Sequence, residues 1–161
     1  MSISSYPAGF RGGAVIKGAA LFDLIPGNVY CVDSGTGGAG NSGTLTSPLA
    51  TVQQGVDKCT ADNGDIVYVF AGHAETLTAQ IDFDVAGVRV IGLGNGNLRP
   101  TLTGNGTIDV IDISAANCSL ENFLFETPST DAQTADINVD AAGARLIGNI
   151  HRGSETSNNK V

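Results

Sequence analysis

Acidic side chains recur at one aligned position of the sequence and are the first groups that could do chemistry. Asp82 aligns with Asp112 and then with Asn138. Two carboxyl groups about 5–5.5 Å apart form the catalytic pair of a retaining glycosidase, and carboxylate oxygens also suit Ca²⁺. A strand with one buried face directs its polar residues outward, so a solvated acidic face explains the same pattern. We favour that interpretation and predict no catalytic residue and no metal ligand here.

A second aligned position carries Asp84, Ser114 and Asp140. Arg89 and Arg145 could supply the cation of a polysaccharide lyase, but a serine lies between them in the alignment and no long loop forms a cleft. No aromatic side chain is predicted beside these acids to support a sugar ring. We therefore expect the arginines to form ion pairs on the surface.

His73 and Glu75 follow a strongly apolar segment and resemble an acid–base pair. No nucleophile lies near them in sequence to complete a catalytic set. We predict a structural corner in which His73 hydrogen-bonds a backbone carbonyl. The Gly-rich segment 33–38 lacks the lysine of a phosphate-binding loop and is interpreted as a flexible turn. His151 lies near the end of the chain and indicates little.

The three cysteines, Cys31, Cys59 and Cys118, have no metal-ligand spacing and are odd in number. We interpret them as reduced thiols, with Cys118 a small core residue. No cofactor is expected.

The composition and charge of the chain limit the kinds of partner that it can bind. The chain of 161 residues is 42% hydrophobic and 15% charged, which suits one folded domain. Its net charge of −8 repels phosphate backbones, so nucleic acid is not an expected partner. The first residues lack the apolar core of a signal peptide. No apolar run approaches the roughly 20 residues that span a bilayer, so no membrane association is expected.

The element that positions these side chains is an internal repeat. Three segments align without a gap: IDFDVAGVRVIG at 81–92, IDISAANCSLEN at 111–122 and INVDAAGARLIG at 137–148. Each reads as a strand, a sharp corner and a second strand, because apolar residues alternate with polar ones on both sides of the corner. Gly87, Asn117 and Gly143 occupy the corner, where positive φ is cheapest for Gly and Asn. Repeats of this length are typical of a solenoid.

Stacked units place like residues on like, about 4.8 Å apart. The predicted core ladders are Ile81/Ile111/Ile137, Phe83/Ile113/Val139, Val88/Cys118/Ala144 and Val90/Leu120/Leu146. We therefore predict an all-β fold, a short right-handed parallel β-helix of about four coils. The strong β run at 65–70 is the strand of its first coil, and residues 101–103 are a candidate third strand.

The predicted domain organisation has three parts. Residues 1–30 form an extended N-terminal arm, residues 31–152 a single β-helix domain, and residues 153–161 a frayed polar tail. An N-terminal capping helix is expected near 48–59, with Ser47 as N-cap and Pro48 in the first turn. Such a helix would cover the open end of the solenoid, because solenoid ends need caps. No comparable cap follows Ile150.

The arm contains apolar and basic side chains that the repeat does not need. The candidate partner-binding residues are Tyr6, Pro7, Phe10, Arg11, Lys17 and Phe22. An apolar, slightly basic arm on an acidic body suits docking onto an acidic protein lattice or a neighbouring copy. Packing along its own β-helix is an equally good explanation of the same residues.

Several segments resemble a family of phage and prophage proteins with pectin-lyase-like β-helices. The similar stretches are SYPAGFRGGAVIKG at 5–18, NVYCVDSG at 28–35, SPLATVQQGVDKCTADNGDIVYVFAGHAETL at 47–77 and VAGVRVIGLGNGNLRPTLT at 85–103. The resemblance implies a virion or head-associated protein of tailed phages, with no catalytic residue to carry over. This sequence ends after fewer coils than the family has.

The expected function is that of a capsid decoration or cement protein that binds the outer head shell. It is structural and not an enzyme. Its expected partners are the major capsid protein and copies of itself, as a homotrimer. The expected location is the capsid surface of the virion, with the host cytoplasm during assembly. The alternatives are a receptor-binding or tail-fibre module that grips host polysaccharide and, third, a polysaccharide-degrading enzyme.

Overall fold

The structure is a computed structural model and describes residues 15–16, 19–20, 26–104, 108–127 and 135–153. Strands dominate these residues, with one short helix and one 3₁₀ turn at Gly96–Leu98. The helix α1 is Val52–Asp57. The strands are β1 (Val15–Ile16), β2 (Ala19–Ala20), β3 (Val29–Val32), β4 (Ile66–Val69), β5 (Ala74–Thr76), β6 (Ile81–Phe83), β7 (Arg89–Gly92), β8 (Thr101–Thr103), β9 (Ile111–Ile113), β10 (Ser119–Glu121), β11 (Leu124–Thr127), β12 (Ile137–Val139), β13 (Arg145–Ile147) and β14 (Ile150–Gly153).

Three parallel sheets contain all strands from β3 onward. Their strand orders are β3-β4-β7-β10-β13, β5-β8-β11-β14 and β6-β9-β12. Consecutive strands along the chain, such as β9, β10 and β11, therefore enter three different sheets, and each strand pairs with its equivalent in the next repeat unit. The predicted all-β fold with parallel sheets is confirmed. Strands β1 and β2 form a separate antiparallel pair.

The repeat sets the register of two sheets. Ile81 pairs with Ile111, which pairs with Ile137. Val90 pairs with Leu120, which pairs with Leu146. The predicted ladder of Phe83, Ile113 and Val139 has the same register. The strand pairing in the structure is therefore the one that the sequence alignment predicted.

Burial of the ladders is complete in the inner units and incomplete in the last one. Ile111 and Leu120 are fully buried. The prediction that every member is buried is wrong for Val139, which is 42% exposed, and for Leu146, which is 47% exposed. Ile137 is half-buried and packs against the core. Among the described residues no strand stacks beyond β12 and β13, so their inward side chains lack one neighbour.

The corner of each unit has the predicted backbone. Gly87 has φ of 76°, Asn117 of 61° and Gly143 of 76°. The residue after each corner returns to the interior, and Val88 and Cys118 are buried there. A residue in this left-handed region turns the chain sharply, which lets the two strands of a unit enter different sheets.

The capping helix is present but begins later than predicted. Thr51 is its N-cap and forms a capping box with Gln54, so Ser47 and Pro48 lie outside the helix. Leu49 explains the difference, because it bridges Val32 in parallel and bonds the edge of β3 through its backbone. The helix packs against β3, β4 and β6, with Val52 and Val56 buried.

Two predicted boundaries shift. Strand β3 begins at Val29, so Val29 and Tyr30 belong to the five-stranded sheet and not to the arm. Strand β14 extends to Gly153, which was assigned to the tail. The remaining tail, residues 154–161, lies outside the described residues.

Asp65 ties the start of the first sheet to the turn after the helix. Its buried carboxylate accepts hydrogen bonds from the N–H groups of Asn28 at 2.6 Å and Thr60 at 2.7 Å, and from the Asn63 amide at 2.7 Å. Burial raises the pKa of Asp65, but the hydrogen bonds outweigh it and hold the pKa below the usual range of aspartate.

We expect Asp65→Asn to destabilise the chain by about 2–4 kcal/mol at pH 7. The carboxylate accepts from three N–H donors, whereas the asparagine amide has one oxygen that accepts and one NH₂ group that would face N–H donors. Since the folded pKa is lowered, the contribution of Asp65 is complete above its unfolded pKa of about 3.9 and is lost as the pH falls through the folded value. Urea unfolding at pH 7 and pH 2.5 measures this. A difference between wild type and variant that stays constant across this range would contradict the assignment.

Candidate functional site

The acidic ladder forms as predicted, but internal hydrogen bonds hold it. Asp82 pairs with Asp112, and Asp112 pairs with Asn138, so the three side chains lie on one face of adjacent strands. The Asn138 amide donates to Asp112 Oδ1 at 2.8 Å, and the Gln80 amide donates to Asp82 Oδ1 at 2.6 Å. The carboxylates are half-buried. Each carboxylate therefore has an amide donor that fixes its position in the sheet.

The side chains at the second aligned position are solvent-exposed, namely those of Asp84, Ser114 and Asp140. The Asn138 amide also donates to Asp140 Oδ2 at 3.1 Å. Among the described residues no group of three or more His, Cys, Asp or Glu side chains is arranged to hold a metal ion.

Arg89 forms the ion pair expected of it. Its guanidinium donates twice to Glu121, from Nε to Oε1 at 2.6 Å and from Nη2 to Oε2 at 2.9 Å. This hydrogen-bonded arginine lowers the pKa of Glu121. The pair lies on the outer face of the five-stranded sheet, where Arg145 is exposed one strand further on.

The fold brings Ser34 to the predicted His73–Glu75 pair. The side chain of His73 is fully buried, and its Nδ1 accepts a hydrogen bond from the Ser34 backbone N–H at 3.0 Å. Its hydrogen is then on Nε2, 3.2 Å from Glu75 Oε2. The predicted backbone carbonyl partner was therefore wrong, since the partner is a backbone N–H. No nearby sequence signal indicates Ser34, which lies 39 residues from His73.

Ser34, His73 and Glu75 are the residue types of a hydrolase triad, but their bonds are different. The Ser34 hydroxyl oxygen accepts from the Ala74 N–H, while the imidazole bonds the serine backbone rather than its hydroxyl. Glu75 Oε2 also accepts from the Val52 N–H at the start of α1. A general base must reach the proton that it removes, and both nitrogens of His73 have partners inside the protein. The cluster thus joins the segment after β3 to β5 and to the start of α1.

A second His–carboxylate pair was not predicted. His151 Nδ1 lies 2.7 Å from Asp136 Oδ2, and the imidazole stacks on Phe125 with ring centroids 5.0 Å apart. His151 continues the ladder of Leu102 and Phe125 in the four-stranded sheet. The alternation of polar and apolar residues around His151 gives no such signal, because the strand has a polar residue at an inward position.

The outer face of the five-stranded sheet is the candidate binding surface of the body. Tyr68 pairs with Ile91, and Ile91 pairs with Glu121, so an aromatic and an aliphatic side chain lie beside the Arg89–Glu121 ion pair. Tyr68 and Ile91 are half-buried, and Ile147 continues their row at 40% exposure. Aromatic and arginine side chains on one surface are the types enriched at protein interfaces.

The cysteines are free thiols, with Cys31 and Cys118 buried. Burial raises the pKa of Cys59 to about 12. These thiols are therefore protonated and lack the thiolate character of a nucleophile. Among the described residues no helix has the length and apolar character to cross a membrane.

The arm residues singled out by sequence lie outside the described residues: Tyr6, Pro7, Phe10, Arg11, Lys17 and Phe22. In this part of the chain the structure describes only the short antiparallel pair of Val15–Ile16 with Ala19–Ala20. Partner binding by the arm stays a prediction.

Comparisons with protein-family models, with curated proteins and with solved structures found no match for this chain.

We expect the double variant Asp82→Asn with Asp112→Asn to fold normally and to change no activity on host polysaccharide. Asparagine keeps an amide oxygen that can accept from Gln80 and Asn138, and replacing two stacked carboxylates relieves their repulsion. Thermal melting and a reducing-sugar release assay measure the two effects. Cleavage by the wild type that disappears in the double variant would show that the ladder is catalytic.

Proposed function

We propose that this chain is a structural, non-catalytic protein of a phage virion that decorates the outer surface of the head. Its partner in this proposal is the major capsid protein, and its location is the capsid surface after assembly in the host cytoplasm.

The proposed architecture is a right-handed parallel β-helix whose three faces are the three sheets. Consecutive strands enter different sheets and each returns to pair with its equivalent one unit earlier, as in Ile81, Ile111 and Ile137. A chain that winds in this way makes repeated parallel crossovers, and those are right-handed in the great majority of proteins. The helix α1 covers one end of the stack.

The observation that carries the non-catalytic proposal is that the polar groups capable of chemistry hold the stack together. Asp82 and Asp112 are bonded by amides of their own or the next unit. His73 and Glu75 join two sheets to the helix. A general acid or base must be within hydrogen-bond reach of the proton that it moves, and the hydrogen bonds described for these groups are to atoms of the chain itself.

Two features support attachment to a protein shell. The first is the resemblance of segments 5–18, 28–35, 47–77 and 85–103 to phage and prophage proteins with pectin-lyase-like β-helices, which implies a virion or head-associated protein. The second is the outer face of the five-stranded sheet, where Tyr68 and Ile91 adjoin the Arg89–Glu121 pair. We propose that this face mediates side-by-side association of three copies, and that the apolar arm reaches the shell.

Binding to phage heads tests the proposal. Purified protein is mixed with heads assembled without it, the heads are sedimented, and the bound fraction is measured against protein concentration. We expect saturable binding at a fixed number of copies per head. Failure of the intact protein to bind heads, together with binding to host polysaccharide, would favour the tail-module alternative.

A further inference from the structure

The two ends of the strand stack differ in how their backbone edges are satisfied. At the end that contains α1, the edge strand β3 is bonded by a loop: the Cys31 N–H donates to Gly43 O at 2.7 Å, and the Leu49 N–H donates to Cys31 O at 2.9 Å. Strand β3 is therefore hydrogen-bonded on both sides, to β4 on one side and to this loop on the other.

The other two sheets are closed at the same end by side chains. Gln53 of α1 accepts from the Asp82 N–H at 2.7 Å and donates to Asp82 O at 3.4 Å, so its amide takes the place of a further strand beside β6. The Ser34 hydroxyl accepts from the Ala74 N–H of β5 at 3.0 Å. All three sheets thus have polar partners along their first edge.

The opposite end has no equivalent closure among the described residues. Strands β12, β13 and β14 are the last strands of the three sheets. The Arg145 N–H donates to the carbonyl of Cys118, the residue just before β10. Because bonding residues alternate along a parallel strand, the N–H and C=O of Leu146 are directed away from that strand. Unpaired edges of this kind are templates for pairing with another chain.

Exposed apolar side chains concentrate at this end. Val139 is 42%, Leu146 47% and Ile150 46% exposed. Val139 and Leu146 continue ladders whose other members are fully buried, so they lack only the neighbour that a further layer would supply. Covering them removes apolar area from water, which is the main driving force of association.

The charge of this end also differs from that of the chain. Residues 136–153 contain two acids, Asp136 and Asp140, and two arginines, Arg145 and Arg152, so they are neutral while the whole chain carries −8. The charged side chains of this segment therefore add no net repulsion between two copies that approach through these ends.

We propose that a second copy of this chain covers the open end, so that two stacks pair end to end through β12, β13 and β14. A twofold axis perpendicular to the stacking direction makes the terminal strands of the two copies antiparallel, which is a good hydrogen-bonding geometry. The loop, Gln53 and Ser34 close the other end, so the pairing yields a closed assembly and not a fibre. The inference does not depend on head binding.

The test is the mass of the intact chain in solution, by light scattering after size exclusion over a range of concentrations. We expect an even number of copies: two, or six if the outer faces also join copies in threes. Val139→Lys with Leu146→Lys should halve the mass, because edge lysines repel and prevent strand pairing. Leu45→Lys with Leu98→Lys is the matched control, since both are exposed elsewhere, and should leave the mass unchanged.

A mass of one or three copies for the wild type would overturn the proposal, as would an unchanged mass for the Val139/Leu146 variant. Deletion of residues 154–161 tests whether these residues, and not a second copy, cover the open end. If these residues cover the end within one chain, the deletion raises the mass from one copy to two, which contradicts the proposal. We expect the mass to stay even and unchanged.

Discussion

Replacing Ile111 by aspartate is expected to abolish the cooperative melting of the chain. Ile111 is fully buried between Ile81 and Ile137, so the new carboxylate would be taken out of water with no cation or donor beside it. An unpaired buried charge costs at least about 4 kcal/mol. Since folded domains have only about 5–15 kcal/mol of stability, the variant loses most of it or unfolds.

Ser114→Asp is the matched control, because it adds the same charge one residue beyond β9 at an exposed position where the other two repeat units already have Asp84 and Asp140. We expect its free energy of unfolding, from thermal melting followed by circular dichroism, to fall by no more than about 1 kcal/mol, which is the scale of like-charge stacking at an exposed position. A wild-type melt for Ile111→Asp would mean that the described register is wrong.

Deletion of residues 2–20 is expected to abolish binding to phage heads while the body stays folded. This segment contains Tyr6 and Phe10, aromatic types that dominate interface energetics. Pro7 between them limits the freedom of the arm and reduces the entropy lost on docking. The described core is formed from residues after this segment, so the melting temperature should change little.

Tyr6→Ala with Phe10→Ala is expected to weaken head binding by about 2–4 kcal/mol on the usual scale of interface hot spots. Co-sedimentation with heads lacking the protein gives the affinity. Ser4→Ala with Ser5→Ala changes small side chains of the same segment and should bind as the wild type does. Undiminished binding by the deletion would assign the shell contact to the folded body and not to the arm.

The strand register was predictable because the repeat aligns without gaps. Three segments that begin at Ile81, Ile111 and Ile137 share their alternation and corner residue, and gapless stacking leaves one register that buries every apolar position. The exposure of Val139 and Leu146 was not predictable from the alignment, because burial depends on a next layer and the alignment treats all units alike.

The four-stranded sheet was largely missed. Only β8, at Thr101–Thr103, was a candidate strand. Its inward ladder runs Glu75, Leu102, Phe125 and His151, so polar residues stand at both ends of the stack. Their partners, the α1 N-terminus and Asp136, come from distant parts of the chain, and alternation within one strand cannot reveal them.

The start of the helix was missed for a similar reason. Local capping rules allow both Ser47 and Thr51, and Pro48 favours the earlier one. The backbone of Leu49 is instead bonded to β3, a contact with no local signal, and the capping box of Thr51 with Gln54 then begins the helix. Likewise, the partner of His73 is Ser34, which only the stacked fold brings near.

A cryo-EM difference map between heads carrying this protein and heads assembled without it would show directly whether the chain decorates the shell. We expect extra density on the outer face of the shell, at repeated positions, with the volume of folded copies of a 16.3 kDa chain. Identical head maps, or extra density confined to the tail, would contradict the proposed function.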